Sequence, residues 1–353
     1  ADILRGKRVL VVCGEDKMRN DNLHRALLQF IDKFEAVVTT DHFANVSDEK
    51  FIHSSGLDAV INYYERKELS PDYIISYGNK VYSWFGTLYR GKDIPHWYIN
   101  EDGKLYDPMR TLENIFETSP ELFFSKMAEA STGRNSEEYF ILWKRKLATL
   151  HLEPRTFTNF YAIKETLAKL PQNSTVHASV LNAMRFTNFC QLPQGTLYLG
   201  NLCADGIDGA LSTFIGQAVA TDNIALLVIG DLSYLYDINA TIDTIPSNIR
   251  VLLINNYAGA EFHYNISLDR ISTLNQHIAA SHKNEFKTVA ELGQLDYAKA
   301  ENPEELRICL EHFFEKSPRA KLLEVITSAD NDGRELRAIL RDNQNHISLK
   351  KRV

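Results

Sequence analysis

Apolar residues fall along this chain in two textures: short continuous runs and stretches of 3.6-residue periodicity. That is the pattern of strands buried on both faces and of helices that cover them. Val9-Leu10-Val11-Val12-Cys13 is the first run, and Leu23, Ala26, Leu27, Phe30 and Ile31 then recur at helical spacing within residues 21–34. Further strands are predicted at 35–39, 73–76 and 95–99, with a helix at 56–65 and helical sequence through 119–151. Such a βαβ rhythm predicts a parallel sheet with helices on both faces. Gly14 closes the first strand, but no GxGxxG surrounds it, so a plain α/β domain without its own cofactor is expected.

The rhythm resumes after Glu153-Pro154-Arg155, where proline breaks the helix and pushes its predecessor towards extended geometry. Strands are predicted at 175–178, 196–199, 225–229, 251–254 and 322–327, and helices at 160–170 and 212–220. The expected architecture is therefore α/β with two parallel-sheet domains, a Rossmann-like one over 1–152 and a second over 153–353.

Composition narrows the function classes. The chain has 353 residues with 39 basic and 46 acidic side chains, a formal charge of −7, and no dense Lys/Arg stripe. A nucleic-acid surface is not expected, and the basic end Lys350-Lys351-Arg352 reads as a solvated terminus. No apolar run approaches the ~20 residues of a membrane span. Cys13, Cys190, Cys203 and Cys309 are scattered without a CxxC pair, which suits reduced thiols in a cytoplasmic protein. The chain enters a core strand within nine residues and lacks an initiator methionine, so it reads as a fragment, a processed product or half of a split protein.

The sharpest chemical pattern lies at 224–256. A buried strand ends at Gly230-Asp231-Leu232-Ser233, and a second ends at Asn255-Asn256. Both polar clusters then sit at carboxyl ends of parallel strands, where open α/β sheets bind ligands. Asp231 offers an anionic oxygen and Asn256 a neutral one, a set that suits Mg²⁺ completed by phosphate oxygens. The amides of Leu232 and Ser233 lie where a helix start would face a diphosphate. The histidines, among them His177, His263, His277 and His282, show no metal spacing and read as packing or surface residues. Ser233 lacks a nucleophile elbow, so a helix cap or phosphate contact is expected of it.

This pattern resembles the diphosphate-binding domain of thiamin diphosphate (ThDP) enzymes, whose signature is Gly-Asp followed by Asn-Asn. Gly206-Ile207-Asp208-Gly209-Ala210-Leu211-Ser212-Thr213, Gly230 to Asn239 and the closing Leu323-Glu324-Val325-Ile326-Thr327 are similar to the menaquinone-pathway synthases within that family. The first half resembles their central domain. The resemblance implies ThDP and Mg²⁺ as cofactors, with Asp231, Asn256 and the Ala258 carbonyl as metal ligands. Asp205, Gly206, Ile207, Asp208, Gly230, Leu232 and Ser233 join them as cofactor-binding positions. Ile207 corresponds to the bulky residue that props the cofactor in its bent shape, and the Asp205 carbonyl to the acceptor of its amino group. The implied reaction class is decarboxylation of a small-molecule 2-oxoacid followed by carbon–carbon bond formation, in a homo-oligomer.

The resemblance also implies what is absent. The family's pyrimidine-binding domain, which carries the activating glutamate, has no counterpart here, so this chain by itself is expected to hold no catalytic residue and to be inert. A missing domain or a partner chain would supply the glutamate. Around the substrate Arg185 persists, but Val180-Leu181 stands for an Asn-Ser pair and Asn201-Leu202-Cys203 for a cationic segment. A central-domain lysine is replaced near Trp84, and Glu261 is added within Tyr257 to Phe262. Each charge-assisted bond to a substrate carboxylate is worth roughly 1.5–3 kcal/mol, so the substrate is expected to have diverged. Two alternatives stay open: a non-catalytic paralogue acting as a scaffold, and a decarboxylase for a less charged 2-oxoacid.

Overall fold

The computed structural model describes residues 1–353 except Ser83, Trp84, Cys203, Asp205, Asp243, Thr244 and 350–353. The chain forms two compact units, one of Ala1–His151 with the chain from Leu340 on, the other of Leu152–Ile339. In each, six parallel strands form one sheet.

The first unit contains β1 (Val9–Cys13), β2 (Ala36–Thr40), β3 (Ile52–His53), β4 (Tyr73–Tyr77), β5 (His96–Ile99) and β6 (Leu112–Phe116), in the order β3-β2-β1-β4-β5-β6. Alternate residues of β1 feed opposite faces, Val9 and Val11 into one core and Leu10 and Val12 into the other. The helix Asp21–Lys33 starts where Asn20 accepts from the amides of Asn22 and Leu23, and it buries Leu23, Ala26, Leu27, Phe30 and Ile31. The predicted helix at 56–65 is displaced to Tyr63–Glu68, because Asn62 and Glu65 form a reciprocal capping box that fixes its start. The helical stretch at 119–151 is two helices, Pro120–Glu129 and Glu138–Leu147. The strand order reverses between β1 and β4, and there Gly14 donates its amide to Tyr77 O at 2.8 Å. A Cβ on Gly14 would lie 2.7 Å from that oxygen, and one on Gly78 2.7 Å from the Gly14 carbonyl carbon. Gly14 thus serves close backbone packing between two loops.

The second unit contains β7 (Thr175–Ala178), β8 (Leu197–Gly200), β9 (Ala225–Gly230), β10 (Ile249–Asn255), β11 (Asp296–Ala300) and β12 (Lys321–Ile326), ordered β11-β12-β10-β9-β7-β8. Every residue of β10 is buried, as is all of β9 up to Gly230. Glu324 on β12 is fully buried and accepts from Asn255 Nδ2 (2.6 Å), Tyr297 Oη (2.6 Å) and the Phe286 amide (3.3 Å). A buried carboxylate with three donors brackets three neighbouring strands. The chain runs from β7 outward to β8 and returns as β9 on the other side of β7, so the order reverses between β7 and β9. The carboxyl ends of those two strands frame the crevice where α/β sheets take ligands.

Candidate functional site

The site grows from the tips of β7, β9 and β10. In the parallel register Ile254 lies opposite Gly230, so both strands release their polar residues at one level. Asp231 opens the helix Asp231–Tyr236 and is only 3 % exposed. Its Oδ2 accepts the Asn256 amide at 3.1 Å, and its Oδ1 accepts the Leu232 amide at 2.7 Å. The two predicted metal-ligand residues are thus brought together. Leu232, expected to offer its amide outward, spends it on the carboxylate of its neighbour.

Asn256 is held in turn. Its Oδ1 accepts the Ala258 amide at 3.2 Å, and its Nδ2 donates to Asp332 Oδ2 at 3.1 Å. Asp332 also accepts from the Asn159 amide (2.9 Å) and the Thr327 hydroxyl (2.8 Å). Burial pushes the Asp332 carboxyl up to about 7 in spite of these donors. Between Asn256 and the buried Ala258, Tyr257 takes φ +60°, a left-handed turn that folds the chain back over the strand tips.

His282, read as a packing or surface residue, packs on Tyr257 beside this site. Its Nδ1 accepts the Asn284 amide at 3.1 Å, which leaves the proton of a neutral ring on Nε2. That nitrogen lies 3.2 Å from Asp231 Oδ2, at ion-pair distance but outside hydrogen-bond geometry. Sequence offered no signal for it, since it arrives from an irregular loop beyond β10.

The Gly206 loop is tied to the same centre. Ser233, expected to cap a helix or meet a phosphate, donates its Oγ to Ile207 O. Asp208 Oδ1 would sit 2.5 Å from a Cβ at position 206, so a side chain there would have to push the exposed Asp208 carboxylate aside. Asp237 accepts both the amide and the hydroxyl of Ser212 at 2.7 Å each, fastening the start of the helix Ala210–Val219. Ile207 is half-buried, and Asp205, Cys203 and Trp84 lie outside the described residues.

These elements enclose a cavity of about 100 Å³ whose wall includes Ser179, Leu181, Ile207, Asp231, Asn256 and Glu261. Leu181 holds φ +68° and ψ −117°, a strained conformation for a branched residue, at the start of the helix Asn182–Asn188. Arg185 on that helix grips Glu261 with its two terminal nitrogens Nη1 and Nη2, at 2.7 and 3.0 Å. Its Nη1 also donates to Asn182 Oδ1, and its guanidinium lies 5.6 Å from the Tyr264 ring centre.

Donor chemistry decides what the centre accepts. A carboxylate, a side-chain amide oxygen and a backbone carbonyl are hard oxygen donors, fitted to Mg²⁺ with phosphate or water completing the shell. Elsewhere among the described residues, His263, Asp269 and Asp330 bring ligand atoms within 4.8 Å of one another, but Arg337 already pairs with Asp269 at 3.0 Å. Cys13 and Cys309 are free thiols, Cys190 Sγ donates to Phe186 O, and among the described residues no helix is long and apolar enough to cross a membrane.

No family model matches the chain. Among curated proteins it is 30 % identical over 288 residues to 2-succinyl-5-enolpyruvyl-6-hydroxy-3-cyclohexene-1-carboxylate synthase of Bacteroides thetaiotaomicron, covering 80 % of this chain and 51 % of the relative. The Flavobacterium johnsoniae protein of the same name is 28 % identical over 338 residues, 92 % of this chain and 60 % of the relative. That of Phocaeicola vulgatus is 30 % identical over 274 residues, 76 % and 49 % respectively. The chain spans about half the length of the curated relatives it matches. What these comparisons show is similarity to about half of a 2-succinyl-5-enolpyruvyl-6-hydroxy-3-cyclohexene-1-carboxylate synthase.

Proposed function

We propose that the Leu152–Ile339 unit binds the diphosphate of ThDP through a divalent cation, as one part of a decarboxylating, carbon–carbon bond-forming enzyme. The observation that carries this reading is the 3.1 Å contact between the Asn256 amide and Asp231 Oδ2 at adjoining strand tips. Asp231, Asn256 Oδ1 and the Ala258 carbonyl would hold Mg²⁺. Gly206, Ile207 and Asp208 on one side, and Gly230, Leu232 and Ser233 on the other, would flank the diphosphate, with the Asp205 carbonyl as a further cofactor contact. When bound, ThDP supplies the carbon nucleophile and electron sink for 2-oxoacid chemistry.

The chain's own residues position and exclude. Asp332 fixes the Asn256 side-chain amide by taking its N–H, and Oδ1, which accepts the Ala258 amide with one lone pair, would have the other for the cation. Ile207, half-buried and tethered by Ser233, would press against the cofactor and keep water from its reacting end. A cavity of about 100 Å³ is well below the roughly 300–1,000 Å³ of a complete small-molecule site, which supports its being one half of a shared site. The pyrimidine end and its activating glutamate would come from a segment or partner chain outside these 353 residues, in a cytoplasmic homo-oligomer.

Calorimetric titration of the full chain with ThDP, with and without Mg²⁺, tests the reading. Binding that requires Mg²⁺ and vanishes in Asp231→Asn is expected. ThDP binding that is indifferent to Mg²⁺ and to Asp231 would overturn it.

A further inference from the structure

The described wall of the cavity contains two carboxylates, Asp231 and Glu261, and no lysine, arginine or histidine. Asp231 is accounted for by the cation. Glu261 is not, and its ion-pair partner Arg185 is absent from the described wall. The Arg185 side chain is 17 % exposed and engages both oxygens of Glu261 in the fork geometry that a bound carboxylate would otherwise use. The rest of the wall is mainly apolar, with Ile163, Leu181, Ala183, Ile254 and Ala260 beside the neutral polar Asn182, Ser179 and Asn256.

We propose that Glu261 is a specificity-determining residue: it fills the Arg185 fork from within, so that the site takes an aliphatic monocarboxylic 2-oxoacid and rejects one bearing a second, distal carboxylate. This rests on the preceding reading for the 2-oxoacid class alone; the charge discrimination stands on Glu261, Arg185 and the wall. A ligand with a distal carboxylate must displace Glu261 into the cavity or lie against it uncompensated. One with an aliphatic end meets a mainly apolar, otherwise uncharged wall and leaves the ion pair intact.

The test compares glutarate with pentanoate, which has the same carbon number, on the full chain, with binding followed through the Arg185 Nε–H resonance and by calorimetry. Glu261→Ala and Glu261→Gln are expected to gain glutarate affinity by roughly ten- to a hundredfold, the worth of one charge-assisted bond pair, with little change for pentanoate. The gain is expected to disappear in the double variant Glu261→Ala/Arg185→Ala. Thermal melts of each variant report that the fold is kept, and Glu261→Gln preserves the shape where Ala does not. Equal binding of both acids to the unmodified chain would overturn the proposal, as would a folded Glu261 variant without a glutarate gain, or a gain that survives loss of Arg185. Loss of Mg²⁺-dependent ThDP binding with the glutarate discrimination intact would refute the cofactor reading and leave this one standing.

Discussion

Ser233 Oγ donates to the carbonyl of Ile207 across 2.6 Å, joining residues 26 positions apart. Two motif blocks that look independent in the sequence are thereby one brace: the turn after β9 holds the loop that leads into the helix Ala210–Val219. Asp237 repeats the linkage by capturing Ser212.

Ser233→Ala removes the donor and leaves a carbonyl unpaired in a half-buried loop. The expected cost is about 1 kcal/mol in urea unfolding, together with faster proteolysis of the loop ahead of Ala210. An unchanged midpoint and cleavage rate would show that the brace carries no load.

Leu181 pays for its place in the cavity wall with a left-handed backbone. Leu181→Gly relieves that conformation, and since the side chain is 37 % exposed, little packing is lost. The expected result is a gain of about 1 kcal/mol at equilibrium, within the range for residues held in sparsely populated φ/ψ regions. Destabilisation by the same amount would mean that packing, rather than strain, dominates there.

Asp41 supplies a pH signature in the other unit. It is 3 % exposed, and burial pushes its carboxyl up to about 7; the amides of Phe43 and Ala44 pull it down, and Asp58 and Glu15 add to the rise. An unfolded aspartate releases its proton near 4, whereas the folded one holds it to about 7. Across that window the unfolded state binds fewer protons, so stability falls as pH rises and levels off above it. Asp41→Asn keeps an oxygen for the Phe43 amide and removes the charge. Denaturant unfolding at pH 4.5 and 7.5 is expected to show a drop on the order of 3 kcal/mol smaller in the variant. Asp332, raised in the same direction, leaves part of the slope in place.

Central strands were legible because burial on both faces leaves no polar position to obscure them: residues 225–229 and 251–254 read as apolar runs and became β9 and β10. The edge strands β6 (LENIF) and β11 (DYAKA) went unread, since an edge exposes one side and its sequence carries charges where a core strand carries valines. Helical periodicity placed 21–34 within one residue, whereas at 56–65 the capping pair Asn62 and Glu65 set a start that apolar spacing does not encode. At the site, Asp231 and Asn256 were legible from their strand ends alone. Asp332, 76 positions from Asn256, and the grip of Arg185 on Glu261, also 76 positions apart, were not. Long-range contacts between loop residues leave no periodic trace in a single chain.

The central claim is that Asp231 and Asn256 jointly grip a divalent cation that anchors a diphosphate. Electron paramagnetic resonance of Mn²⁺ added to the full chain, with and without inorganic pyrophosphate, measures this most directly. The account predicts one bound Mn²⁺ per chain, tightened by pyrophosphate and weakened at least about a hundredfold in both Asp231→Asn and Asn256→Ala. Mn²⁺ binding of equal affinity in those two folded variants, or no binding to the unmodified chain with pyrophosphate present, would contradict it.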